Sequence, residues 1–504
     1  MSELLRGLKK NTNKTYTQNG AITYKSTLSR VYDLFAQGAA MRGASDGDCC
    51  GMFAAAYKES PNMALKCLFY LRDIRGGQGE RKFFRSCIKW LSIYHTKEME
   101  HLIALVPEYG RYDDLFELFG TPLEAEMMGY IWHVIQKNED HLVYKWMPSI
   151  NASSKNTAER GRKFAREFGL TEREYRKMLT EGRRYCNLVE TLMSQNRWNE
   201  IEFNKLPSRA GILYSKAFAR REETRERYRL FMLRPQTKVN AGALYPYDVV
   251  AKAVDLMDSG SYWRQKRIPQ LDDPERLAVN KYWDNLTDYF KDASLNALCV
   301  CDTSGSMTSG YGNNSRIAPI DVAIAIALYT AERAKGPFQD HFISFSSRPQ
   351  LIEVEGADFC DKVDRIYRQN LCENTNIEAT FDLILNTARE NHLKQEELPE
   401  NIIIISDMQF DQARGWNSSS RTTLMEEIVN KWEYHGYRMP KLIFWNVNAD
   451  THAGNIPMKD EEYITFVSGA SPVILEQVLK GKTGIDVMFD KLMSPRYEAI
   501  HSIS

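Results

Sequence analysis

One short loop offers the side chains best suited to chemistry in this 504-residue chain. Asp302, Ser304 and Ser306 stand at alternate positions directly after the apolar run 298–301. Oxygen ligands at this spacing, with Gly305 to permit a tight turn, suit a hard divalent cation such as Mg²⁺. An ordinary Ser/Gly turn after a strand would have the same sequence, so the loop alone leaves both interpretations open.

Two later segments place oxygen ligands where they would complete a cation site. Asp407 follows the apolar run 402–405, and Thr375 directly precedes a predicted helix. The carboxyl ends of parallel strands lie at one edge of a sheet, so Asp302 and Asp407 should meet there. The predicted ligands of Mg²⁺, or of another divalent cation, are Asp302, Ser304, Ser306, Thr375 and Asp407.

From residue 291 onward, apolar strand candidates alternate with helix candidates. This order predicts an α/β domain over residues 291–504, with a parallel sheet covered on both faces. The strand candidates are 295–301, 341–345, 401–406, 441–446 and 463–467. The helix candidates are 319–335, 358–368, 377–391, 422–435 and 472–480.

Residues 1–290 have few strand candidates and favour helices. Apolar residues recur at helical spacing, with Gly or Pro between successive segments, which is typical of a helical-repeat array. The helix candidates are 45–57, 62–71, 81–94, 112–119, 157–168, 171–179 and 215–230. We therefore predict one α-helical repeat module over residues 1–290, with a linker at its end.

The formal charge is zero, but the two predicted domains differ in charge. Residues 1–290 carry 46 Lys+Arg against 36 Asp+Glu, and the remainder carries 20 against 30. A basic module favours a polyanionic partner, although a solvated helix surface has the same composition. The nine cysteines lack a ligand spacing, and there is no long apolar run and no secretory signal. We therefore expect a cytoplasmic protein with reduced thiols and no membrane contact.

The five oxygen ligands and the strand–helix order resemble the metal-ion-dependent adhesion site (MIDAS) of von Willebrand factor A (vWA) domains. The resemblance implies a Rossmann-like fold, direct contacts from the first loop and Thr375 to the cation, and a contact from Asp407 through water. It also implies an open coordination position that accepts an acidic side chain of a protein partner. A hydrolase with Ser304 or Ser306 as nucleophile would need a base for which the sequence offers no clear candidate, so we expect no enzyme activity.

Further motifs resemble an uncharacterised family of helical proteins that end in a vWA domain. They include 17–21, 71–81, 145–148 and 406–411. This architecture is similar to that of the Ro autoantigen, in which a HEAT-like TROVE module, named for telomerase, Ro and vault proteins, precedes a vWA domain. The resemblance implies binding of small non-coding or misfolded RNA.

Basic residues of the helical module are the candidates for RNA contact. Arginines flank three glycines in the segment 72–81, where they would suit phosphates or form salt bridges with Asp73 and Glu80. Basic residues are interleaved with Tyr175 between residues 160 and 184, and Tyr185 follows them. This pattern is typical of a groove that binds a single nucleic-acid strand, and also of a solvated helix surface. The candidates are Arg72, Arg75, Arg81, Lys145, Arg162, Lys163, Arg166, Arg176, Lys177, Arg183 and Arg184.

Two functional hypotheses follow. The first is a non-enzymatic RNA-binding protein, a ribonucleoprotein component, that combines a basic helical module with a metal-binding domain. The alternative is a metal-dependent adaptor that binds an acidic side chain of a protein partner and uses the helices as a scaffold. A nuclease or ATP-dependent enzyme is disfavoured, since the chain lacks a GxxxxGK[ST] loop.

Overall fold

The computed structural model describes most of the chain. The described residues are 14–16, 22–24, 26–186, 188–257, 268–290, 296–308, 318–345, 348–368, 376–409, 424–448, 464–472 and 482–503. Near the start, strands β1 (Lys14–Tyr16) and β2 (Ile22–Tyr24) pair antiparallel. No helix among the described residues is long and apolar enough to cross a membrane.

The region up to residue 290 is otherwise helical, as predicted. Its α-helices are α1 (Arg30–Gln37), α2 (Asp46–Glu59), α3 (Pro61–Arg72), α4 (Arg81–Tyr94), α5 (Thr96–Leu102), α6 (Val106–Tyr109), α7 (Glu124–Lys137), α8 (Leu142–Trp146), α9 (Lys155–Glu167), α10 (Glu172–Tyr185), α11 (Val189–Ser194), α12 (Ser208–Leu213), α13 (Ser215–Arg220), α14 (Glu222–Leu233), α15 (Pro246–Met257) and α16 (Pro274–Asp284).

Two predicted helices differ in the structure. Residues 112–118 form a 3₁₀ helix, and the predicted helix 215–230 is divided into α13 and α14 at Arg221. Arg221 has an extended backbone, and the buried Thr224 hydroxyl donates to the Phe218 carbonyl at 2.8 Å. A hydroxyl that bonds a nearby backbone carbonyl competes with the helical hydrogen bonds, which explains the break.

Helix α10 shows how the sequence sets the ends and the faces of a helix. Its first turn is a capping box, since the Glu174 carboxylate accepts the Thr171 N–H at 2.8 Å and the Thr171 hydroxyl accepts the Glu174 N–H. Tyr175, Leu179 and Gly182 are buried at helical spacing. The basic side chains between them therefore face solvent.

The second domain contains a six-stranded sheet in the order β5-β4-β3-β6-β7-β8. Its strands are β3 (Ala297–Asp302), β4 (His341–Phe345), β5 (Gln350–Glu353), β6 (Asn401–Ser406), β7 (Lys441–Asn446) and β8 (Ile464–Ser468). Its helices are α17 (Pro319–Arg333), α18 (Phe359–Arg368), α19 (Ile377–Glu390), α20 (Leu424–Tyr434) and α21 (Gly484–Leu492). This confirms an α/β domain after a helical region.

The sheet is mostly parallel, as predicted, but one edge strand departs from this order. Strand β5 pairs antiparallel with β4, whereas the other neighbouring strands of this sheet are parallel. The connection from Phe345 to Gln350 is too short for a helical crossover, so β5 can only return antiparallel. The predicted helix 472–480 lies outside the described residues after 472.

The last helix of the helical region packs against the α/β domain. The Trp283 ring of α16 stacks on Phe359 of α18, with 4.0 Å between ring centroids. Arg276 donates two hydrogen bonds of 2.7 Å to Asp358. A bidentate arginine–carboxylate pair fixes orientation as well as distance, so this junction is well defined.

The first helix contacts the same domain at its other end. Helix α1 packs on β8, and the Tyr32 hydroxyl accepts the Phe466 N–H at 3.5 Å. A Cβ atom on Gly484 would lie 1.7 Å from the Tyr32 hydroxyl oxygen, so this contact requires glycine. Because both ends of the helical region contact the α/β domain, the chain closes on itself.

Candidate cation site and nucleic-acid interface

Two buried carboxylates lie side by side at the carboxyl edge of the sheet. Asp302 ends β3 and Asp407 follows β6, which is its parallel neighbour. Their exposed fractions are 0% and 3%. Burial, together with the charge of Asp407, raises the pKa of Asp302 to about 7. Repulsion between two buried carboxylates favours a bound proton or a bound cation at this position.

The loop after β3 brings the other predicted oxygens to the same place. The Ser304 N–H donates to Asp302 Oδ1 at 2.9 Å, and the Ser406 hydroxyl donates to Asp302 Oδ2 at 2.6 Å. The Ser304 and Ser306 hydroxyl oxygens are 3.1 Å apart. Ser304 is buried and Ser306 is exposed, so this group of oxygens is open to solvent on one side.

The turn after β6 has an unusual backbone. Met408 has a φ of 64°, its N–H donates to the Ser406 hydroxyl at 2.9 Å, and the Gln409 N–H donates to Asp407 Oδ1 at 3.1 Å. A left-handed residue other than glycine costs about 1 kcal/mol or more, and such residues are concentrated at binding sites. Here the strained turn fixes the Asp407 carboxylate.

The structure therefore brings together four of the five predicted cation ligands, Asp302, Ser304, Ser306 and Asp407. Thr375 lies outside the described residues. No group of three or more His, Cys, Asp or Glu side chains that could hold a metal ion occurs in the described part of the chain. Carboxylate and hydroxyl oxygens without His or Cys favour Mg²⁺ or Ca²⁺ over a transition metal.

Several of the predicted RNA contacts are bonded within the protein. Arg183 donates to the carbonyls of Tyr144 and Met147 and to the Ser149 hydroxyl, at 2.8–3.0 Å. Other candidates pair with acidic residues or with backbone carbonyls. These pairs are Arg72–Asp114, Arg75–Glu108, Arg162–Glu172, Lys163–Glu124 and Lys177–Glu181, and Arg176 donates to the Glu172 carbonyl.

Other candidates remain open to a ligand. Arg81, Arg166 and Arg184 are exposed and form no ion pair with a described residue. Lys145 lies over the Trp146 ring, 5.5 Å from its centroid. Tyr175 is completely buried and its hydroxyl donates to the Pro148 carbonyl at 3.0 Å, so the expectation that Tyr175 stacks on a base is wrong.

A basic cleft of about 400 Å³ contains residues that the sequence did not reveal. Arg72 and Arg81 line this cleft together with Arg42, Arg111 and Arg209. The last three were missed because they are isolated arginines, far apart in the chain, and no local pattern singles them out. Only the tertiary fold brings them together.

The chain matches two family models. One, described as "Domain of unknown function (DUF2828)", matches residues 17–121 and 134–295, which is more than half of the chain. The chain belongs to this family. A second model, "Domain of unknown function (DUF7788)", matches residues 296–496 of this DUF2828 protein. Neither description names a vWA domain, so that resemblance stays a prediction.

Two individual proteins are similar to this DUF2828 protein over most of its length. Uncharacterized protein L728 of Acanthamoeba polyphaga mimivirus is 27% identical, over 93% of this chain and 85% of its own. The crystal structure of the Deinococcus radiodurans RO (RSR) protein aligns with 92% of this chain and 96% of its own. Its sequence identity is 14% and its TM-score is 0.35, which is too low to establish a shared fold.

Proposed function

We propose that this DUF2828 protein is a non-enzymatic RNA-binding protein whose α/β domain holds a divalent cation. One observation carries the RNA proposal. Tyr185 is 67% exposed and stacks on His141, with ring centroids 5.0 Å apart and an angle of 18° between the rings. Arg184 and Lys177 line the same groove of about 640 Å³. An aromatic surface flanked by cations binds the bases and phosphates of single-stranded RNA.

The two acidic residues of this groove, Glu174 and Glu181, bond to groups other than Arg184. Glu174 accepts hydrogen bonds from the Thr171 backbone N–H and hydroxyl, which lower the pKa of its carboxyl. Glu181 lies 3.9 Å from Lys177. Arg184, at the end of α10, has no carboxylate partner among the described residues. The exposed ring therefore lies beside a guanidinium that is available to phosphate.

Tyr185→Ala should weaken the binding of single-stranded RNA about fivefold or more, because loss of one base–aromatic stack costs roughly 1–3 kcal/mol. Fluorescence anisotropy with a labelled mixed-sequence RNA measures this change. Arg184→Gln should weaken binding less and reduce its dependence on salt concentration, since one phosphate contact is lost.

The matched control is Tyr434→Ala. Tyr434 is 73% exposed and also neighbours a histidine, His435, but it lies on α20 of the acidic domain. This variant should bind RNA as the wild type does. Equal affinities of wild type and Tyr185→Ala, or no measurable RNA binding by the wild type, would refute the proposal.

A second function, metal-dependent protein binding, is favoured by the exposed position of Ser306 beside the buried carboxylates. A cation held there would face solvent and would accept a carboxylate from a partner. Asp302→Asn should then abolish Mg²⁺-dependent co-purification of that partner but leave RNA binding unchanged. Co-purification that survives in this variant argues against the adaptor.

A further inference from the structure

Three arginines of the basic cleft come from distant parts of the chain. Arg72 ends α3, Arg111 precedes the 3₁₀ helix 112–118, and Arg209 lies in α12. Arg72 is only 2% exposed. Its Nε and Nη2 atoms lie 2.8 and 2.7 Å from Asp114 Oδ2, so an ion pair fixes this buried guanidinium at the wall of the cleft. A guanidinium held in this way is preorganised for a ligand oxygen in the cleft.

Arg111 lies near two other arginines of the cleft and near two carboxylates. It is partly buried, and its guanidinium lies over the Trp146 ring, 4.9 Å from the centroid. Burial, and then the nearby charges of Arg72 and Arg209, lower the pKa of Arg111, although Asp113 and Asp114 oppose this effect. Arg111 forms no ion pair with a described residue. Guanidiniums held close together favour an anion between them.

The lining of the cleft has uncompensated positive charge. Arg42 is paired with Glu80 at 2.5 Å, and Arg209 is paired with Asp248 at 3.2 Å. Arg81 and Arg111 have no carboxylate partner in the part of the chain that the structure describes. A phosphate monoester carries about −1.5 to −2 charges at pH 7, so it would balance these two arginines, whereas one carboxylate would not.

Tyrosine rings hold the arginines in place. Tyr245 and Tyr247 stack with 5.7 Å between centroids, Arg209 lies 5.9 Å from the Tyr245 centroid, and Arg42 lies 5.4 Å from that of Tyr247. Gly79 has a φ of 65°, and a Cβ atom there would lie 2.1 Å from the Tyr245 hydroxyl oxygen. Glycine therefore lets the 73–80 loop close against Tyr245, and the cations are preorganised.

We propose that this cleft binds a phosphate monoester, which is the group at the end of a phosphorylated RNA or on a free nucleotide. Arg72, Arg111 and Arg209 donate to its oxygens, and Arg81 contacts it at the rim. A volume of about 400 Å³ accommodates a phosphate and its attached sugar. The site is distinct from the groove beside Tyr185. Binding of a phosphorylated RNA end rests on the proposed RNA function, whereas binding of a free nucleotide does not.

Two matched ligand pairs test the site. The first is adenosine 5′-monophosphate and adenosine, measured by isothermal titration calorimetry. The second is one RNA oligonucleotide with a 5′-phosphate or a 5′-hydroxyl, measured by fluorescence anisotropy. The wild type should prefer the phosphorylated member of at least one pair about tenfold. Arg111→Gln should abolish this preference, and Arg111→Lys should retain part of it, because lysine keeps the charge but loses the fork geometry.

The control variant is Arg229→Gln, which alters an arginine on α14 that pairs with Glu226; it should keep the preference. A thermal melt of Arg111→Gln checks folding, and Arg209→Gln serves as a second variant. If the protein prefers the phosphorylated member in the RNA pair alone, the ligand is an RNA end. If it prefers adenosine 5′-monophosphate to adenosine, the cleft is a nucleotide site even if RNA binding fails. Lack of preference in both pairs, or an unchanged preference in folded Arg111→Gln, overturns the proposal.

Discussion

Addition of Mg²⁺ should raise the melting temperature of the wild-type protein and leave that of the Asp302→Asn variant unchanged. Asp302 is completely buried beside Asp407, and burial together with this neighbouring charge raises the pKa of Asp302 to about 7. A bound cation neutralises the pair, whereas asparagine removes the charge that binds the cation. Differential scanning fluorimetry over a series of Mg²⁺ concentrations measures the difference.

The effect of Mg²⁺ should depend on pH. The pKa of Asp302 is raised from 3.8, so the folded metal-free protein keeps a proton that the unfolded chain releases. Its free energy of unfolding therefore falls as the pH rises from about 4 to about 7. Mg²⁺ must displace this proton, so Mg²⁺ affinity should rise about tenfold between pH 6 and pH 8. An affinity that does not change with pH would contradict this assignment.

Two controls separate cation binding from the burial of charge. Ser306→Ala removes an exposed hydroxyl, so it should weaken Mg²⁺ binding without changing the stability of the metal-free protein. Asp490→Asn alters an exposed carboxylate that pairs with Lys482 and should change neither property. In Asp302→Asn, the Ser406 hydroxyl can accept from the new amide, so this variant should fold. A normal Mg²⁺ response in Asp302→Asn would exclude the site.

The strands that carry the cation site could be predicted because they are buried on both faces. A parallel strand between two layers of helices reads as a continuous apolar run, as in 402–405, and the first polar residue after it marks the edge of the sheet. Asp302 and Asp407 were placed correctly for this reason. Strand β5 was missed because only Ile352 is buried in it, so it has no apolar run.

The roles of individual arginines could not be predicted, because burial and partners depend on contacts between distant residues. The local sequence does not show which of Arg72 and Arg184 is buried. In the structure, Arg72 is 2% exposed and pairs with Asp114, whereas Arg184 faces solvent. Arg111 and Arg209 are almost 100 positions apart and meet only in the tertiary fold. Local periodicity contains no information on such pairs.

Asp73→Ala should lower the free energy of unfolding by roughly 3 kcal/mol, because it leaves the buried Tyr497 hydroxyl and the partly buried Arg496 guanidinium without their shared acceptor. Asp73 is completely buried in the loop after α3. Its carboxylate accepts from Arg496 Nε at 2.9 Å, from Arg496 Nη2 at 3.1 Å and from the Tyr497 hydroxyl at 3.0 Å. These bonds attach the C-terminal segment to the first helices. Urea unfolding measures the loss, and limited proteolysis should cut residues 484–503 faster.

Glu108→Ala is the matched control, since Glu108 binds the same guanidinium at 2.7 Å but is 56% exposed. A surface ion pair contributes less than about 1 kcal/mol, so this variant should be close to the wild type in stability. The Asp73→Ala/Arg496→Ala double variant should be less destabilised than the sum of its single variants, because each removes the same contact. Equal effects of Asp73→Ala and Glu108→Ala would show that burial does not strengthen this attachment. In that case, closure of the chain would depend on the apolar contacts of Tyr497 with Tyr70 and Tyr109.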